Sequence, residues 1–244
     1  MFIRNRLGLL EGTETMLAHG QRLNQLTNNL ANVDTPGYKK EDVTFWEMLH
    51  RTNEKRQRVG KALKILTNHQ PGAVKTTNNP FDFSINGQGF FKLDTPQGVR
   101  YSRAGNFLVN GNGQLVNPDG HAVLGDGGPI VINGNDVSLA TDGTLLVDGV
   151  NVGRLDIATF ADVNNLEKEG TNLFRIKEGS GMEEEPAVDF SVQQGTLETA
   201  NVNLVAEMTA LLDLHRAYEV QQKSIRTFDE IDNKAINTVG KLTS

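Results

Sequence analysis

The sequence predicts an α+β protein in which long N- and C-terminal helices pair as a coiled coil and a central all-β domain of short strands is inserted between them. Three observations predict it: apolar residues recur every seven positions at both ends, turn formers crowd the middle, and charge changes sign along the same boundaries. The expected division is a helical domain over 1–34 plus 201–244, an extended basic connector over 35–78, and a β-rich domain over 79–200.

The first helix is expected because no proline occurs from Phe2 to Val33, and Leu9, Met16, Leu23 and Leu30 stand seven apart. Leu26 and Val33 fill the second position of that repeat, while Asn5, Gly12 and His19 leave its earlier positions weak. Such a narrow, imperfect seam is marginal in isolation and needs a partner to lie on. The helix ends in Asn28-Asn29-Leu30-Ala31-Asn32, where three asparagines in five residues are costly, since their amides compete with the backbone for hydrogen bonds. Asp34-Thr35-Pro36-Gly37 then supplies a turn, so the segment reads equally as a helix terminator and as a recognition element.

The connector is read from charge. Residues 39–75 carry nine Lys/Arg against four Asp/Glu, whereas residues 76–199 carry seven against seventeen. The connector shows no sustained periodicity, runs polar from Arg51 to Arg58 and reaches Gln70-Pro71-Gly72, which predicts an extended or flexible stretch.

From about Asn79 to Thr199 the period shortens. Clusters such as Ala122-Val123-Leu124, Ile130-Val131-Ile132 and Leu145-Leu146-Val147 are each bounded by Gly, Asn or Asp, which predicts short strands joined by tight turns. Asn110-Gly111, Asn133-Gly134, Asp142-Gly143 and Asp148-Gly149 are hairpin-turn dipeptides, because Asn and Asp tolerate the left-handed region and Gly enters it freely. The closing helix is predicted by Leu204, Leu211, Tyr218 and Ile225, seven apart, with Met208, Phe228, Ile231, Ala235, Val239 and Leu242 continuing the stripe. Two amphipathic ends are most simply read as pairing with each other.

Composition narrows the function. The 244 residues include no cysteine, which removes thiolate metal sites, disulfides and cysteine nucleophiles together. A net charge of −6 has the wrong sign for coating nucleic acid, and no window approaches eighteen consecutive apolar residues, so neither nucleic-acid binding nor membrane insertion is expected. The start Met1-Phe2-Ile3-Arg4-Asn5-Arg6 is charged where a cleaved secretory signal needs its apolar stretch. His19, His50, His69, His121 and His215 form no i, i+4 pair, and Gly87-Gln88-Gly89 and Gly111-Asn112-Gly113 lack the remainder of any phosphate-binding fingerprint. A calcium loop starting at Asn110 would place Leu115 at position six and His121 at position twelve, where glycine and an acid are needed. Glu183-Glu184-Glu185 followed by Pro186 reads as a solvated loop, and no G-x-S-x-G occurs. The reading is of a protein without catalytic, cofactor-binding or metal residues.

Against this background, Asn29-Leu30-Ala31-Asn32-Val33-Asp34-Thr35-Pro36-Gly37-Tyr38-Lys39 resembles the N-terminal signature shared by bacterial flagellar rod and hook proteins. Ile85-Asn86-Gly87-Gln88-Gly89-Phe90-Phe91, Tyr101-Ser102-Arg103-Ala104-Gly105-Asn106-Phe107, Gly113-Gln114-Leu115-Val116, Gly195 through Asn203, Glu207-Met208 and Arg216-Ala217-Tyr218-Glu219 are similar to that family in the same order, over nearly the whole chain. The resemblance implies a basal-body rod protein, since the complete β-domain excludes the short rod proteins and the lack of further large insertions argues against the hook protein. Gly125-Asp126-Gly127-Gly128-Pro129-Ile130 and the compact connector favour the proximal F type over the distal G type.

The resemblance further implies export through the flagellar type III apparatus without a cleaved signal, passage across the periplasm, and partners that are copies of the chain itself and other rod and hook proteins. The terminal helices would assemble into an inner tube that transmits torque. On that reading Leu23, Leu30, Leu211, Tyr218 and Ile225 hold the coil together. Asn28, Asn29, Asn32, Thr35 and Gly37 shape the junction and bond across subunits, and Asn201 and Asn203 are further assembly residues. The rival reading is a free-standing β-rich binding module, for instance for glycans, on a coiled-coil stalk. Its aromatic supply is thin, with Trp46 in the connector and only Tyr101 of the three tyrosines in the β-domain.

Overall fold

The computed structural model describes residues 2–51 and 57–240, with side chains described for 12–44, 64–231 and 234. The chain forms two compact units. One comprises Met1–Ala31, Glu41–Leu66 and Asn203–Ser244, the other Asn32–Lys40 and Thr67–Val202.

The first unit holds helix α1 (Phe2–Ala31), helix α2 (Leu204–Gly240) and strands β1 (Glu41–Arg51) and β2 (Gln57–Thr67). The two helices pack on each other, and α1 also meets β1. On α1, Ala18, Gln25, Leu26 and Asn29 are buried, and Leu23 and Leu30 are half-buried. Gly12 lies so close to α2 that a Cβ there would stand 3.0 Å from Gln221 Nε2 and 3.5 Å from Ile225 Cγ1. The glycine that weakened the heptad in sequence thus faces α2, where an added methyl would displace the tip of Gln221 and touch Ile225.

Of the expected first column on α2, Leu211, Tyr218 and Ile225 are half-buried and Leu204 is exposed. The second column differs. It runs through Glu207, Leu214 and Gln221, two of them polar, whereas Leu204, Met208, Phe228 and Ile231 are exposed. An apolar template therefore chose the outward residues over a polar inner column. Leu9, Ala235, Val239 and Leu242 lie outside the described side chains.

The stretch over 35–78, expected to be extended or flexible, contains two regular strands. β1 and β2, eleven residues each, pair as a two-stranded sheet. Val43, Phe45 and Leu49, then Val59, Leu63 and Ile65, stand at alternate positions of these strands, a period-two signal split by the polar run from Arg51 to Arg58.

The second unit is antiparallel throughout its described pairings. Strand β3 (Val74–Thr76) pairs with Thr196–Glu198, and β4 (Phe83–Gly87) pairs with Phe190–Gln194. Strands β5 (Phe90–Thr95) and β6 (Gly98–Ser102) lie in the largest sheet, whose order is Leu166–Glu169, Leu173–Ile176, β6, β5, Ala122–Gly125, Leu115–Val116, Leu108–Val109. A three-stranded sheet of Val137–Leu139, Thr144–Val147 and Val150–Arg154 packs its apolar face into the same core. That core centres on Phe83, Phe91, Leu115, Val123 and Leu145, all fully buried, and Phe90, Tyr101, Phe160 and Phe174 make a second cluster.

The turn dipeptides behave as their chemistry requires, with one exception. Asp148-Gly149 closes a two-residue hairpin with φ of 50° and 80°, the left-handed pair of a type I′ turn. Asn110 Oδ1 accepts from the backbone N–H of both Asn112 and Gln114, so its oxygen shapes the hairpin. Asn133-Gly134 is not a hairpin turn: it lies in the link between Val131, bridged to Gln114, and the strand Val137–Leu139.

Candidate functional site

The residues singled out after the first helix gather into two polar clusters, one in each unit. In the first unit, the fully buried Asn29 acts as a surrogate strand partner for Glu41. Its Oδ1 accepts from Glu41 N at 3.0 Å and its Nδ2 donates to Glu41 O at 2.9 Å, which replaces the ladder bonds a neighbouring strand would supply. Gln25, one turn earlier on the same face, donates to the same Glu41 carbonyl, and Asn29 Nδ2 also reaches Glu207 Oε2 at 3.4 Å. An asparagine inside a helix is tolerated here because its amide is spent on another element. At the start of α2, Asn203 is the N-cap: its Oδ1 accepts from Ala206 N at 3.1 Å and its carbonyl from Glu207 N.

In the second unit, residues 32–40 form the turn that follows α1. Thr35 Oγ1 donates to Asn32 Oδ1 at 3.2 Å and Thr35 N donates to Asn32 O, which closes the turn. Gly37 has φ of +66° and is buried, and a Cβ there would stand 2.2 Å from Ala104 N. Only glycine satisfies both demands. Asn201 then binds three backbone segments at once: its Oδ1 accepts from Lys40 N at 2.7 Å, and its Nδ2 donates to Asn68 O at 2.8 Å and Gln70 O at 2.9 Å. Asn68 N donates to Lys40 O, so the three segments are cross-tied.

Beside this tie lies a buried ionic cluster that sequence reading missed. Lys39, 1% exposed, places Nζ 2.5 Å from Glu198 Oε1 and 2.7 Å from Gln70 O. Glu198 Oε1 also accepts from Gly72 N at 2.9 Å, and its Oε2 lies 3.5 Å from Arg103 Nη1. Arg103 spends its other donors on Ile85 O and Gly87 O and stacks over Phe90. Burial lowers the proton affinity of Lys39, with Glu198 opposing, and lowers that of Arg103 likewise. Burial, reinforced by the charges of Lys39, Arg103 and Lys168, brings the His69 pKa down to about 4, which keeps its ring neutral against Phe90 and Phe174. Lys168 caps the arrangement, with Nζ 3.7 Å from the Tyr38 ring centroid and 3.0 Å from Lys39 O. Both oxygens of Glu198 are committed, so the cluster binds chain segments to one another.

Asn29, Asn32, Thr35, Gly37, Asn201 and Asn203 have partners within the chain. Leu23 and Tyr218 line a groove between α1 and α2, Ile225 stands beside Gly12, Leu211 and Leu30 are half-buried, and Asn28 is exposed. Lys39, Arg103 and Glu198 were missed as a site because 159 residues separate Lys39 from its carboxylate, and no local spacing encodes that pairing.

Comparison with known proteins follows the same path along the chain. A model of flagella basal body rod proteins matches residues 9–39, one of the D1 domain of flagellar hook protein FlgE/F/G matches 84–147, and one of the C-terminal part of flagellar basal body rod FlgEFG proteins matches 193–238. Flagellar basal-body rod protein FlgG of Bacillus subtilis is 33% identical, covering 94% of this chain and 97% of its own. FlgF of Caulobacter vibrioides is 31% identical over 96% and 98%, and FlgG of the same organism 32% over 88% and 93%.

Proposed function

The chain belongs to the flagellar basal-body rod protein family, of the F or G type, and from that premise we propose that it polymerises helically through its terminal helices into the torque-transmitting shaft and export channel of the basal body. It is a structural subunit of the rod. The observation that carries the assembly reading is the exposed apolar surface of α2, where Val205 is 72%, Leu212 58% and Val220 65% exposed. Apolar residues spread so widely over a helix already packed on one face call for further partners.

In the assembled state α1 and α2 supercoil, with Leu23, Leu30, Leu211, Tyr218 and Ile225 in the seam. Asn29, Asn32, Thr35, Gly37, Asn201 and Asn203 hold the backbone rigid where the chain leaves the helices, and Asn28 faces a neighbour. A loaded shaft needs many distributed contacts, which suits a non-catalytic role and partners drawn from copies of the chain and other rod and hook proteins. The helical ends form the inner tube, the acidic β-domain of 79–200 the outer layer, and the basic stretch of 35–78 lies against acidic neighbours. Export through the flagellar type III apparatus delivers the subunit across the periplasm. Gly125 to Ile130 and the compact connector favour the F type.

Sedimentation and electron microscopy of the purified full chain over a range of concentrations test this reading. Concentration-dependent filaments or tubes are expected, and a chain that stays monomeric into the millimolar range contradicts it. Deletion of the gene in the parent bacterium should leave basal bodies arrested at the rod.

A further inference from the structure

On one side β4 pairs with Phe190–Gln194, where Ile85 stands opposite Val192 and Gly87 opposite Phe190. Val192 N donates to Thr141 O, so Ile85 and Val192 point their backbone groups away from each other. By alternation Phe83, Ile85 and Gly87 all turn their N–H and C=O groups to the outer edge of β4. There the segment Gly105–Phe107 serves as neighbour only at the start of the strand: Phe83 N donates to Gly105 O at 2.9 Å and Phe107 N to Phe81 O at 3.2 Å. Just before that segment the chain lies in β6, which pairs with β5 and with Leu173–Ile176, so its backbone is not available to Ile85 and Gly87. The Arg103 side chain takes over where its backbone diverges. Its Nη1 donates to Ile85 O at 3.2 Å and its Nη2 to Gly87 O at 2.8 Å. Phe90, whose ring centroid lies 5.2 Å from the guanidinium carbon, and Glu198 Oε2, 3.5 Å from Nη1, hold the fork in place. The edge opens on a cleft of about 940 Å³ whose lining includes the exposed Asn86, Gly87 and Gln88.

We infer that Arg103 is a guard on this edge: its guanidinium occupies the two carbonyls through which β4 would otherwise pair with the β4 edge of a second copy. It thereby keeps the sheets of the β-rich unit within one chain. The inference concerns the second unit alone and stands apart from assembly through the helices. An open strand edge is a template for any chain that presents the matching pattern. A second copy presents it, because the outer edge of β4 is its own complement. With Asn86 of two antiparallel copies opposite each other, Ile85 of each faces Gly87 of the other, N–H against C=O, and both pairs can exchange ladder bonds. Arginine closes such an edge in two ways. Its planar fork reaches both carbonyls, which the compact ammonium of a lysine cannot do in one geometry. Its charge, once displaced from Glu198 and Phe90, would be left against the incoming strand, and that makes pairing costly.

The chain has no cysteine, so a thiol introduced at Asn86 is the only one present. In the inferred pairing the two copies of residue 86 stand opposite each other with Cα atoms about 4.5 Å apart, within disulfide reach. Full-length Asn86→Cys and Arg103→Met/Asn86→Cys are mildly oxidised at a concentration where the unmodified chain is monomeric. Disulfide-linked dimer should be at least about tenfold more abundant when Arg103 is replaced. Equal yields overturn the inference. Glu198→Gln/Asn86→Cys separates an opened edge from a loosened unit, because it weakens the same ionic cluster and leaves the guanidinium on both carbonyls. Its dimer yield should stay near that of Asn86→Cys alone, and a yield matching the Arg103→Met variant overturns the inference. If circular dichroism shows that Arg103→Met does not fold, Arg103→Lys takes its place, since it keeps a cation beside Glu198 and loses the fork. It too should raise the dimer yield above that of Asn86→Cys, and no rise overturns the inference.

Discussion

Lys39 and Glu198 show how single side chains hold the second unit together. Replacing a buried partner strands the other, so Glu198→Gln, which leaves Lys39 and Arg103 facing a neutral amide, should cost about 3–5 kcal/mol of stability. Lys39→Met leaves Glu198 with Arg103 and Gly72 N, and its cost should be smaller, about 1–3 kcal/mol. Denaturant unfolding of both variants checks the order, and equal costs would show that Arg103 contributes nothing to compensating Glu198. His69 gives a pH signature. Its pKa is about 4 in the folded protein against 6.5 ordinarily, so between those values the unfolded chain takes up a proton that the folded chain refuses. The stability this histidine contributes is present above pH 6.5 and is lost as pH falls through 4. Calorimetry should find the melting temperature of the native chain dropping between pH 7 and 5 more steeply than that of His69→Phe. Parallel profiles would place the buried ring outside the pH response.

The elements differ in how openly their sequences declare them. At the start of α2, Asn203 caps the helix through one hydrogen bond to Ala206 N, and Asn203→Ala should cost about 1 kcal/mol, read by thermal unfolding of the first unit. No loss would mean that α2 is fixed by packing alone. The two terminal helices were legible because a seven-residue repeat is local information. The second α2 column was not, since Glu207 and Gln221 are polar and only α1 and its neighbours make them inward positions. The β1–β2 pairing was hidden by the polar run between two strands whose alternation is imperfect on its own. Asn29 was legible as costly in a helix, but its role as a strand surrogate for Glu41 depends on a contact twelve residues away. The Lys39 cluster was out of reach altogether, because residues near positions 39, 70, 103 and 198 meet only after the sheets form.

At the scale of the whole molecule, the two units of this rod subunit differ in how fully they bury their apolar residues. The second unit carries two apolar clusters and a satisfied ionic centre, whereas α2 leaves Leu204, Val205, Met208, Leu212, Val220, Phe228 and Ile231 exposed. If the helices are the assembly elements, as proposed, such a division predicts that they are the least stable part of the free subunit and order fully on joining a polymer. Amide hydrogen exchange on the full chain, compared between dilute monomer and assembled polymer, tests this most directly. Residues 2–31 and 204–240 should exchange rapidly in the dilute chain and slowly in the polymer, while strands such as β4, β5 and β6 are protected in both. Equal, strong protection of both helices in dilute solution and in the polymer would contradict the account, because the helix pair would then need no neighbour to complete it.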